Sequence, residues 1–215
     1  MGKKVFLAAF FIFVLFFSSS VISLFAEDAA NAAKDPLPSL KKVALVIAPT
    51  NFRDEELTIP LETLKKAGFA TLIVSTKSGT ATGMLGMTIS IEKTIDEISP
   101  DELSGLIVVG GTGSPEFLWN NKKLQEVISA LSSKGKALGA ICLSPAILAR
   151  AGVLKGKKAT TWKSDETLAE LEKNGATYVE ESCVVAGKVV TGNGPEAAEK
   201  FATEMLRLLS EQKNN

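Results

Sequence analysis

"GAICLSPAILARAGVLKG", Gly139 to Gly156, decides how the chain is read. With Lys136 to Leu138 before it, the run "KALGAIC" fits a short strand buried on both faces, and "SPAILARAG" fits a helix opening directly after Cys142. A residue at such a junction projects its side chain out of the turn. The amides of Leu143 and Ser144 would open the helix, and its positive end favours a thiolate. Gly139 and Ala140 are small, as a tight turn packed against its neighbours requires. Cys142 also has a plain reading, because free cysteine is among the most buried residue types and is often inert. The question is sharpened by composition: the chain has no histidine, the usual activator of a catalytic thiol.

Outward from this stretch, strands and helices alternate. "KKVALVIAP", "FATLIVSTK", "LSGLIVVGG" and "KKATTW" are expected strands, and "GMTISIEKTI" an extended segment. "DEELTIPLETLKKAG" has helical spacing and a Gly68 stop, but Pro60 inside it predicts a kink or a late start. "NKKLQEVISALSSKG" is an amphipathic helix, and "SDETLAELEKNG" is a helix with Ser164 as N-cap. "ATYVEESCVVAGKVVTG" predicts a strand and then a hairpin turning at Ala186-Gly187. "PEAAEKFATEMLRLLSEQ" closes the chain as a helix with Pro195 in its first turn. Such alternation argues for an α/β sandwich with a mostly parallel sheet in one domain, residues 41–212.

The beginning of the chain is of another kind. Lys3 and Lys4 precede an unbroken apolar run, Val5 to Phe17, and small residues follow; this is the pattern of a secretory signal peptide, expected over residues 1–26 with cleavage after Ala26. An uncleaved membrane anchor over Val5 to Ala26 is the alternative. Residues 27–40, rich in Ala, Asp, Asn and Pro, read as a flexible mature N-terminus. The expected protein is exported, periplasmic or extracellular, with no membrane contact after cleavage. The closing "EQKNN" is no retention signal. The chain has 24 basic and 24 acidic side chains, and losing Lys3 and Lys4 leaves 22 against 24, so no basic nucleic-acid face is indicated. Two cysteines, Cys142 and Cys183, give neither a disulfide scaffold nor a zinc site, although a single bridge between them stays open. Without histidine, a metal would have to be held by carboxylates alone, and no metal or cofactor is expected.

Two more motifs fall at strand ends, where open α/β sheets bind ligands. In "VVGGTGSPEF", Val108 to Phe117, the glycines Gly110 and Gly111 end a strand and could expose an amide to an oxyanion, or could simply turn the chain. The pattern is neither a dinucleotide fingerprint nor a P-loop. In "NFRDEEL", the acids Asp54, Glu55 and Glu56 suit a helix N-terminus through the macrodipole alone. A functional role requires one of them to reach Cys142, where a buried, protonated carboxyl would donate to a thiolate.

Taken together these stretches resemble the ThiJ/PfpI superfamily, which includes the parkinsonism-associated deglycase and the PfpI-type peptidases. "AICLSPAILARAGVLKGKKATTW" resembles its Ala-Ile-Cys-His-Gly-Pro stretch and continuation. "FRDEEL" is similar to its Phe-Glu-Asp-x-Glu-Leu, "VVGGTGSPEF" to its Pro-Gly-Gly turn, and "VVTGNGPEAAEKFA" to the segment before its last helix. The resemblance runs from about Lys42 to Leu209. It implies a flavodoxin-like fold with a nucleophile-elbow cysteine, commonly a homodimer, without a cofactor. It also implies Cys142 and Glu56 as catalytic residues, Gly111 and Leu143 as oxyanion-hole amides, and a pocket that includes Gly110, Ser144, Trp162, Gly194 and Pro195. Two departures stand out. Leu143 replaces the histidine that follows the cysteine in many members, and Trp162 stands where the deglycase-like branch has its own.

Four functions follow from this. One is an enzyme acting through Cys142 on small carbonyl compounds, with glyoxalase or deglycase chemistry. Another is a redox-responsive stress protein whose thiol has a pKa well below 8.5. A third is a binding module that has kept the pocket and lost turnover. A peptidase or amidase ranks last, since acyl transfer to an amide needs a proton donor for the leaving group, and only Glu56 offers one.

Overall fold

A computed structural model describes residues 42–213. The expected signal peptide and flexible N-terminus lie outside the described residues. In chain order the strands are β1 (Lys42–Val46), β2 (Thr50–Phe52), β3 (Thr71–Ser75), β4 (Gly79–Gly83), β5 (Thr88–Ile91), β6 (Lys93–Thr94), β7 (Leu103–Val108), β8 (Ala137–Ile141), β9 (Lys158–Ala159), β10 (Thr177–Tyr178), β11 (Cys183–Ala186) and β12 (Val189–Gly192). The helices are α1 (Asp54–Lys66), α2 (Ser114–Phe117), α3 (Lys122–Ser133), α4 (Pro145–Arg150), α5 (Asp165–Lys173) and α6 (Ala198–Lys213).

Seven strands form the central sheet in the order β11-β12-β8-β7-β1-β3-β6, parallel except for the β11–β12 hairpin. Apolar residues on both faces of each inner strand make this a two-sided core. Along β1, Ala44 and Val46 pack with Leu124, Ile128 and Leu131 of α3 on one side. Val43 and Leu45 pack with Leu57 and Leu64 of α1 and with Phe201, Met205 and Leu209 of α6 on the other. Period-two alternation thus sends neighbouring residues into opposite layers. Gly139 permits close approach of α6: a Cβ there would lie 2.7 Å from both Met205 Sδ and Phe201 Cζ.

The mostly parallel α/β sandwich and its element order agree with the reading of the sequence, with three corrections. Pro60 does not give its helix a late start: α1 begins at Asp54 and runs through a buried Pro60. Only the bond from residue 60 to the Glu56 carbonyl is forfeited, and packing of the apolar face outweighs it. "KKATTW" does not join the main sheet; two of its residues, as β9, pair with β10 in a small separate sheet. A third sheet, β2-β4-β5, was not anticipated, because β2 is three residues long and β4 is the Gly- and Thr-rich "GTATG". The hairpin β4–β5 ends in a turn that comes down beside the start of α1.

Candidate active site

Cys142 follows β8 directly and has φ of 62°, one of two non-glycine residues with positive φ among those described. Such a backbone costs about 1–3 kcal/mol and persists only where its surroundings over-determine it. They do so here. The Cys142 amide donates to Gly192 O at 2.9 Å. Its carbonyl accepts from the Trp162 amide at 2.8 Å and from Thr161 Oγ1 at 2.7 Å. The Ser144 amide closes the turn on Ile141 O at 3.1 Å, and Trp119 Nε1 donates to Leu143 O at 2.9 Å. The result holds the thiol at the carboxyl end of the sheet, facing out of the strand.

Glu56 sits in the first turn of α1 and is completely buried. Its Oε2 accepts from the Gly110 amide at 3.0 Å, while Oε1 has no hydrogen-bond partner among the described residues. Gly110 lies between the acid and the cysteine: a Cβ there would come 2.5 Å from Cys142 Cβ and 2.5 Å from Glu56 Oε2. Gly111, with φ of 99°, continues the turn, and a Cβ on it would collide with the Asn51 carbonyl. The Arg53 amide donates to Gly110 O at 3.1 Å, which ties the entry of α1 to this glycine pair.

The electrostatics run against a resting thiolate. Burial pushes the Cys142 thiol up to about 12, and the Glu56 charge adds to that; the amides of Gly111 and Leu143, which reach the sulfur, pull the other way. Burial raises Glu56 to about 7, opposed by the thiol, the Gly110 amide and the Arg53 charge. The low thiol pKa expected of a redox sensor is therefore not what this environment produces. An acid near neutrality beside a protonated thiol is a proton acceptor at the pH where one is needed.

The thiol opens into a cavity of about 280 Å³ lined by Gly111, Leu143, Trp162 and Pro195, and also by Arg53, Met84 and Thr112. Gly194 is set behind Trp162, where a Cβ would lie 3.0 Å from Cε3 of its ring, and it lines a neighbouring cavity that shares Trp162 and Pro195. Two expected pocket residues support the wall rather than line it. Gly110 is the spacer just described. Ser144 is buried under the elbow, with its hydroxyl 2.7 Å from Val109 O and 2.8 Å from Ser114 Oγ. Of the unforeseen lining residues, Arg53 and Thr112 lie within motifs that the sequence displays, whereas Met84 arrives through the hairpin and left no local signal. Cys142 and Cys183 are both buried free thiols.

The chain is similar to several known proteins. An uncharacterised protein of Methanocaldococcus jannaschii is 42% identical over 94% of this chain and 97% of its own length. A deglycase of Thermococcus kodakarensis is 34% identical over 77% of this chain and 98% of its own. The crystal structure of a ThiJ/PfpI domain protein from Brachyspira murdochii superposes with a TM-score of 0.76 at 28% identity, covering 80% of this chain and 98% of that one. The sequence pattern of the DJ-1/PfpI family matches residues 41–208. That span contains every strand described here, the glycine pair, Glu56 and the Cys142 turn, and the chain belongs to the DJ-1/PfpI family.

Proposed function

We propose that this protein is a cofactor-independent enzyme of deglycase-like chemistry, acting through Cys142 on small carbonyl compounds or the adducts they form. The observation that carries the proposal is the buried Glu56, raised to about 7 beside the Cys142 thiol. Deglycases among the relatives support the reaction class. As the sulfur adds to a carbonyl carbon, Glu56 takes the thiol proton and the carbonyl π pair moves onto oxygen. The amides of Gly111 and Leu143 are placed to receive that oxygen, and Glu56 returns the proton to it. Glu56 thereby fills the role usually taken by histidine, a role worth about 10²–10⁴-fold. With an α-oxoaldehyde, the C–H proton of the hemithioacetal carbon moves to the adjacent carbonyl carbon and the hydroxyl proton moves to that carbonyl's oxygen, which gives a thioester; water then releases a hydroxy acid and restores the thiol. The net change is the addition of one water.

The test is lactate formation from methylglyoxal and from methylglyoxal-modified N-acetylarginine. Turnover by the wild type and a loss of at least about 10²-fold in Cys142→Ser are expected. No lactate above a heat-denatured control would overturn the assignment and leave a binding module. The redox reading has less support, because burial disfavours the thiolate that peroxide attacks. Export and a homodimer belong to the same proposal. The first is supported by the apolar run Val5 to Phe17, the second by an exposed Val185 on edge strand β11. The mass of the secreted chain and light scattering check them.

A further inference from the structure

Among the described residues, Arg53 is the one charged side chain lining the Cys142 cavity. Its backbone is fixed by the bond to Gly110 O, which sets the root of the side chain at the rim beside the glycine pair. A guanidinium carries five N–H donors in a planar fork. Glu55 takes two of them, with Oε2 at 2.9 Å from Nε and Oε1 at 3.0 Å from Nη2. The other three have no partner among the described residues, and the side chain is partly open to solvent at 27%. Around it the wall is apolar or uncharged, formed by Met84, Leu143, Trp162 and Pro195. A cation with an unused donor edge, beside a low-dielectric wall, attracts an anion more strongly than the same cation in water.

We propose that Arg53 favours addition at Cys142 of carbonyl compounds that carry a carboxylate next to the reacting carbon, the class of 2-oxo acids and of glyoxylate in particular, held as hemithioacetals. The proposal rests on Cys142 as the reacting group and extends it to substrate choice. The carboxylate spans the free edge of the guanidinium while the neighbouring carbonyl carbon faces Sγ. Addition forms the S–C bond and breaks the C–O π bond; the thiol proton passes through Glu56 to the oxygen, and no oxidant or reductant takes part. A cavity of about 280 Å³ accommodates a molecule of this size.

Alkylation of Cys142 by iodoacetate and by iodoacetamide tests the proposal without requiring turnover. The two reagents are nearly the same size, one anionic and one neutral, and both meet the same thiol, so their rate ratio cancels any change in the thiolate population. The ratio is followed at the Cys142 peptide by mass spectrometry, with the urea-unfolded chain as reference. In the folded wild type it is expected to exceed the reference by about tenfold, the effect of one charge-assisted contact. It should return to the reference in Arg53→Gln, stay elevated in Arg53→Lys, and rise further in Glu55→Gln, which removes the competing charge and one of the two acceptor oxygens. Glyoxylate should protect Cys142 from iodoacetamide at lower concentration than methylglyoxal does, and Arg53→Gln should remove that preference. Equal ratios in wild type and Arg53→Gln would overturn the proposal, whether or not the protein makes lactate. Lactate formation with a neutral preference would do the same and leave the enzyme assignment standing.

Discussion

The Gly110 amide donates to Glu56 Oε2 at 3.0 Å, and the missing side chain of the same residue leaves the gap through which Glu56 and Cys142 influence one another. One residue therefore both orients the acid and admits the sulfur. Gly110→Ala would place a methyl 2.5 Å from each of them and 2.7 Å from Ile141 O. Overpacking of that kind costs about 1–3 kcal/mol. The variant should unfold at lower urea concentration, and its Cys142 alkylation rate should change while that of Cys183 does not. Unchanged chemistry at Cys142 would mean that Glu56 acts from a position this structure does not show.

Glu56 and Cys142 titrate as a pair that holds one proton above about pH 7. A reactive thiolate in that state requires the proton to sit on Glu56. The rate of Cys142 alkylation should rise through about pH 7 as the second proton leaves, and then flatten. Glu56→Gln keeps an acceptor for the Gly110 amide and removes the charge, so the step near 7 should vanish and a single rise at higher pH replace it. Rates measured from pH 5 to 10 check both. A step that persists in Glu56→Gln would assign the titration to another group.

The same carboxyl makes stability depend on pH. The folded protein binds the Glu56 proton more tightly than the unfolded chain does, since burial raises it from 4.5 to about 7. Its contribution is fully present below about pH 4.5 and is lost as pH rises through about 7. At 1.36 kcal/mol per pH unit the loss amounts to about 3 kcal/mol. With no histidine in the chain, few other side chains titrate in that window. Urea midpoints of the wild type should fall between pH 5 and pH 8, and those of Glu56→Gln should stay nearly level.

How far the sequence reveals this site depends on how local each feature is. Cys142 is legible because a buried strand, a small-residue turn and a helix start lie within ten residues of one another. Glu56 is not separable from Asp54 and Glu55 by local pattern, since all three suit a helix N-terminus; only the depth of the first turn against Gly110 sets it apart. Met84 is invisible, because β4 is Gly- and Thr-rich and its place beside the cavity is fixed by contacts with α1 more than thirty residues away. "KKATTW" misleads for a related reason. Its β propensity is genuine, but the chain uses Thr161 and Trp162 to hold the Cys142 carbonyl instead of extending the sheet.

Asp54 shows what that long-range contact does. Buried at 6% exposure, its Oδ2 accepts from the Leu85 amide and its Oδ1 from the Met87 amide, both at 2.9 Å. It pins the hairpin turn whose Met84 forms one wall of the cavity. Hydrogen bonds to a charged acceptor contribute about 1.5–3 kcal/mol each, and Asp54→Ala removes two. A stability loss of about 3 kcal/mol is expected, with hydrogen exchange faster at Leu85 and Met87 and unchanged at the buried amides of β1. Asp54→Asn, with one acceptor oxygen, should fall between. Because the wall would loosen while Cys142 and Glu56 stay in place, substrate affinity should drop more than the rate of the chemical step. Equal losses in both would show that the turn also holds the elbow.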